Sequence, residues 1–149
     1  MLRKLRERIQ SEEKGFTLIE LLVVILIIGI LAAIAIPAFL GQRQKAQDSA
    51  AKSMSRNAAS AAAAYSTDQN GAYTGMDTAA LVAIEPSLAD GGSVTTVATV
   101  SNVAADSYTV STTSKSGKFF NLTRTGGNTF RCEAANAGAA CAAGSTPKW

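Results

Sequence analysis

Polar and apolar positions along the chain fall into four blocks with different periods. Residues 1–15 are polar and basic, with no apolar run. Residues 16–40 read FTLIELLVVILIIGILAAIAIPAFL, and no charge occurs from Leu21 to Gln42. Those 22 residues, at ~1.5 Å rise each, are enough helix to cross a hydrocarbon core of ~30 Å. Residues 41–68 change to an amphipathic pattern. Ala50, Met54, Ala58, Ala61 and Tyr65 recur at helical steps, while Lys45, Asp48, Lys52 and Arg56 fall mainly on the other face. No proline or glycine lies between Gln42 and Asn70, so one helix is expected to continue from the apolar block, roughly 50 residues and ~75 Å long.

Beyond Asn70-Gly71 the helical period stops. An irregular connection, residues 69–92, is expected through Pro86 and Gly91-Gly92. Strand-like runs follow at Val94 to Val103, Tyr108 to Thr113, Lys118 to Arg124 and Thr129 to Glu133. Asp106, Ser116-Gly117 and Gly126-Gly127-Asn128 separate them, and such short connections favour an antiparallel meander. The predicted fold class is α+β: a long N-terminal helix packed on a small antiparallel sheet formed by residues 93–149. That sheet is expected to bury one face, against the Ala50 to Tyr65 stripe.

Charge then orients the picture. The formal net charge is +3, and residues 1–15 hold five basic and three acidic side chains, so most of it sits at the front. Basic residues before the apolar block and mixed charge after it place the N-terminus in the cytoplasm and the C-terminal body outside. The near-neutral body has no basic stripe of the kind a nucleic-acid surface needs. The apolar block exceeds the 7–15-residue core of a secretory signal, so it is expected to persist in the mature chain.

Histidine is absent, which removes the commonest general base and metal ligand. Asp68, Asp77, Glu85 and Asp90 are scattered, and no glycine loop follows a strand in a phosphate-binding pattern. No metal, cofactor or catalytic residue is therefore expected, and the chain does not read as an enzyme. Cys132 and Cys141 have eight residues between them. In a body outside the cytoplasm they read as a disulfide closing a small loop; in the cytosol they would be two reduced thiols. Asn121-Leu122-Thr123 fits a glycosylation acceptor pattern, but its neighbours resemble a buried strand. Trp149 carries no reading from sequence.

Glu20 is the only ionisable side chain between Lys14 and Arg43. A charge at a bilayer centre costs ~2.5–3.5 kcal/mol on insertion scales, and such residues tend to be functional. Near the end of a span, the same residue can equally sit in the headgroup zone. Its setting, Lys14-Gly15-Phe16-Thr17-Leu18-Ile19-Glu20-Leu21-Leu22-Val23-Val24, closely resembles the processing site of type IV pilins and type II secretion pseudopilins. The likeness extends through Gly29 and Pro37 to about residue 50.

The resemblance implies a prepilin whose leader, 1–15, is removed after Gly15 by a prepilin peptidase that also N-methylates Phe16. It further implies that Glu20 pairs with the new Phe16 amine, on its own or a neighbouring subunit, and so sets axial register during polymerisation through helix 16–40. Gly29 and Pro37 mark the interval that kinks or loosens in assembled filaments, and the exposed loop closed by Cys132 and Cys141 would face the filament exterior, unless it is a simple staple. Implied partners are copies of the chain, the peptidase and methyltransferase, inner-membrane lipid before assembly, and assembly machinery with a membrane platform protein. DNA is a further candidate that no basic stripe supports. Two other functions fit the same blocks: a pseudopilin of secretion or competence, and a single-pass anchored binding domain that never polymerises.

Overall fold

The computed structural model describes residues 15–89, 94–145 and 149. Residues 1–14 of the expected leader, Asp90 and the Gly91-Gly92 turn lie outside the described residues. The chain divides at Gly41 and Gln42 into two units, which are taken in turn.

Helix α1 runs Leu18–Asp68 and contributes to both units. Its regular structure passes through Gly29, Pro37 and Gly41 without interruption. Proline in a helix interior removes a donor and crowds the preceding turn, yet the flanking aliphatic residues hold the helical path. In the first unit the large apolar side chains from Phe16 to Leu40 are 43–92% exposed. Nothing among the described residues covers them.

The second unit begins with the amphipathic half of α1. It buries Ala51, Met54, Ser55, Ala58, Ala61 and Ala62, with Tyr65 partly buried. The contact face is therefore rotated slightly from the expected stripe, with Ala51 rather than Ala50 at its start. Most of these side chains are small, which lets the sheet come close. Thr112 Oγ1 donates to the carbonyl of Ala51 at 2.9 Å, a strand side chain bonded directly to helix backbone. Past Asp68 the chain reverses through Asn70 and Gly71, both in the left-handed region, with Gly71 N donating to Ser66 O at 2.6 Å.

The connection expected to be irregular is partly helical. α2, Thr78–Ile84, is capped by Asp77, which accepts from Ala80 N at 2.7 Å, and a 3₁₀ turn follows at Pro86–Ala89. An Asp N-cap satisfies one of the free donors of a helix's first turn. Leu81 and Leu88 project from these two pieces into the core.

The sheet consists of β1 (Val94–Ser101), β2 (Tyr108–Ser114), β3 (Phe119–Thr125) and β4 (Asn128–Ala134), paired antiparallel in chain order. The β3–β4 turn is the two-residue Gly126-Gly127 connection, with φ of +56° and +80°, as a hairpin of this length requires. Strand alternation sorts the side chains onto two faces. Tyr108, Val110, Phe120 and Leu122 join the core that α1 packs against, and Tyr108 stacks obliquely on Tyr73 with ring centroids 4.7 Å apart.

The opposite face is also buried, contrary to the expectation of one covered side. Thr109, Ser111, Asn121 and Thr123 are at most 4% exposed, beneath the segment that follows β4. That segment supplies backbone partners. Asn121 Nδ2 donates to Asn136 O and Ala139 O, Gly138 N donates to Ser111 Oγ, and Cys141 N donates to Thr123 Oγ1. Asn121 thus sits under the loop, out of reach of a glycosylating enzyme in the folded chain. Gly138 has φ +79°, and a Cβ there would lie 3.2 Å from Ser101 Oγ, so glycine is needed on both counts. Cys132 and Cys141 form a disulfide with Cα atoms 5.7 Å apart.

Candidate functional site

The start of α1 is built by four consecutive residues. Thr17 is the residue before the helix, and its backbone N donates to Glu20 Oε2 at 2.8 Å while its Oγ1 donates to the same oxygen at 2.7 Å. In return Glu20 N donates to Thr17 Oγ1 at 3.2 Å. This is a capping box, in which side chains three apart satisfy donors that the first helical turn leaves free. A carboxylate in that turn also faces the positive end of the helix dipole. The Thr17-x-x-Glu20 spacing is itself the sequence signature of such a box.

Both contacts fall on Oε2. Among the described residues, Oε1 of Glu20 has no hydrogen-bond partner. Phe16, immediately before the capping threonine, is 92% exposed. Around Gly15 and Gly29 no described residue beyond the local backbone lies within 4 Å of where a Cβ would stand, so packing among the described residues demands glycine at neither. The structure thus brings Phe16, Thr17 and Glu20 together at one helix end. It leaves Gly29 and Pro37 further along the same apolar surface, and Cys132 and Cys141 in the second unit.

The second unit offers no competing chemistry among the described residues. No group of three or more Cys, Asp or Glu side chains is placed to hold a metal ion. Trp149, unread in the sequence, donates from Nε1 to Cys132 O at 2.9 Å and meets Phe120 edge-on, with ring centroids 6.0 Å apart. The Arg56 and Arg131 guanidinium groups lie 5.5 and 5.7 Å from its ring. The indole seals the β4 edge of the core and ties it to the disulfide.

Residues 11–36 match the prokaryotic N-terminal methylation motif. A fimbrial protein of Neisseria meningitidis serogroup B is 45% identical over 71 residues, 48% of this chain and 41% of its own length. The type IV wide pilus major component of Thermus thermophilus is likewise 45% identical over 71 residues, 48% of this chain and 53% of its own. A type IV major pilin of Myxococcus xanthus is 53% identical over 45 residues, 30% of this chain and 20% of its own. The chain spans about half or less of the length of these curated relatives, and no solved structure matches it.

Proposed function

We propose that the chain is a type IV pilin subunit that is cleaved after Gly15, N-methylated on Phe16 and polymerised through its apolar helix into a filament. In this reading residues 1–15 are a leader. Residues 16–40 lie first in the cytoplasmic membrane, N-terminus inward, and later in the filament core. Residues 41–68 join that helix to the surface-exposed part, 69–149. A prepilin peptidase with methyltransferase activity and further copies of the chain are the partners.

One observation carries the reading. The sole acid of the apolar stretch sits one turn from Phe16, with one carboxylate oxygen spent on the capping box and the other without a hydrogen-bond partner among the described residues. Cleavage after Gly15 creates an α-amino group with a pKa of ~8, positively charged at neutral pH. Oε1 of Glu20 on a neighbouring copy can receive it while Oε2 continues to cap its own helix. A copy entering in the wrong register would strand both charges in apolar surroundings, and that penalty selects the register. The uncovered aliphatic surface supplies adhesion, first to lipid and then to other helices.

Mass spectrometry of the chain recovered from cells is the test, together with filament yield. A product beginning at methylated Phe16 is expected. Glu20→Ala should still be inserted and cut, while filaments sheared from the surface fall at least about tenfold, as expected for loss of a buried partner worth more than about 1.4 kcal/mol. An intact Met1 terminus, or filaments of normal yield from the Glu20→Ala chain, would overturn the proposal.

A further inference from the structure

Charge in the second unit is segregated along the sequence. Residues 57–114 contain five acidic side chains and no basic one, whereas residues 42–56 hold four basic and one acidic, and residues 115–149 five basic and one acidic. The fold turns this order into two flanks. Strand order puts β1 and β4 at opposite edges of the sheet. α2 and the 3₁₀ turn pack along β1, and Asp77 and Glu85 stand at the two ends of α2. Exposed Asp106 lies in the turn leaving β1. On the other side, Arg56 from α1 and Arg131 from β4 converge on Trp149, and Lys52 lies 5.0 Å from the Phe120 ring centre.

The ion pairs sharpen the contrast. The two acids of the basic flank, Asp48 and Glu133, are both held by Lys118, at 4.0 and 3.1 Å. Among the described residues, Asp68, Asp77, Glu85 and Asp106 form no ion pair within the chain. Arg124, over the Tyr73 ring at 5.7 Å, is a base seated toward the acidic flank, and Lys115 follows Ser114, the β2 partner of Val94 at the start of β1.

We propose that the acidic α2–β1 flank of one copy docks on the basic Arg56–Arg131 flank of the next, in a head-to-tail contact between the second units. The partner is a second copy because this chain carries both halves of the match. A polyanion would fit the basic flank alone and be repelled by the other. A contact between two different patches repeats from copy to copy instead of closing as a pair, and opposed charges at such a rim fix orientation and disfavour wrong registers. The inference deepens the filament reading, since it concerns how neighbouring copies recognise each other, but it needs no filament to be tested.

Full-length donor- and acceptor-labelled chains in zwitterionic phosphatidylcholine vesicles provide the assay, with energy transfer reporting association. Between 50 and 500 mM NaCl association should weaken about tenfold, because rim charges are screened within a Debye length of ~10 Å at 0.1 M salt and ~3 Å at 1 M. Arg56→Glu with Arg131→Glu makes both flanks acidic, and Glu85→Lys with Asp106→Lys makes both basic. Each variant alone should lose association, and an equal mixture of the two should regain it. Recovery on mixing excludes misfolding as the cause of the losses. Association indifferent to salt, variants that associate normally, or a mixture that stays dispersed would overturn the contact. So would loss of binding to a duplex oligonucleotide in the Arg56→Glu, Arg131→Glu variant with self-association intact, which would assign the basic flank to a polyanion. Failure here would leave the cleavage and Glu20 tests untouched.

Discussion

Tyr108 shows how far one buried hydroxyl can be made to report on the core. Burial first, and then the neighbouring Tyr73 ring, push its pKa up to about 12, with Arg124 pulling the other way. An unfolded tyrosine ionises near pH ~10, so the folded state holds the neutral form more strongly. The stability it contributes is complete below about pH 10 and is lost as pH rises from about 10 to about 12. Near-ultraviolet circular dichroism in detergent should follow that loss, and Tyr108→Phe should shift it to higher pH. An unchanged alkaline transition in the Phe variant would place the sensitivity elsewhere. At this scale the sequence was readable for the cysteines, held the unread Thr17-x-x-Glu20 capping spacing, and was silent for Trp149. A terminal aromatic residue has no period or neighbour pattern to locate it, and its partners, Phe120, Arg56 and the Cys132 carbonyl, meet it only in the fold.

Among the elements, α1 and the four strands were legible because each has a sustained period bounded by turn residues. Three features were hidden. α2 is only seven residues long, below the length at which a 3.6 period stands out. The contact face of α1 is mostly alanine and serine, so neighbouring small residues compete and the stripe is read one position off. The polar face of the sheet alternates Thr, Ser and Asn, a pattern that normally marks a solvated surface; here backbone groups of 136–141 take the place of water. That arrangement makes the disulfide loop part of the core's cover. Cys141→Ser should lower stability by about 2–3 kcal/mol in the chain-entropy account of so short a loop, measured as a lower urea midpoint. Amide exchange should accelerate in 134–141 and in β3 while α1 stays protected. Uniform acceleration across the second unit would show that the loop does more than cover one face.

For the molecule as a whole, the proposed topology makes a spatial prediction. One described helix, α1, is long and apolar enough to cross a membrane. The chain should therefore resist alkaline carbonate extraction from membranes. Protease added outside spheroplasts should remove the part beyond Gln42 and spare a fragment carrying the apolar block, whereas protection of residues 69–149 would reverse the proposed orientation. The α+β class was readable at this scale because the apolar block and the strand block are separate in the sequence. The charge on each flank was not readable at this scale, because it depends on strand order and on α2 lying along β1.

The meander has a kinetic consequence. Every strand pairs with its neighbour in sequence, so the sheet can zip up through local hairpins, and its covalent link spans only nine positions. Non-local steps among the described residues include the seating of α1, marked by the bond between Thr112 and Ala51, 61 positions apart, and the return of the loop after β4 to Asn102, 36 positions from Gly138. Chains with few distant pairings fold fast. Whatever delays this one will therefore be found in those docking steps, and Thr112→Val should slow the first of them and leave the second unchanged in stopped-flow refolding.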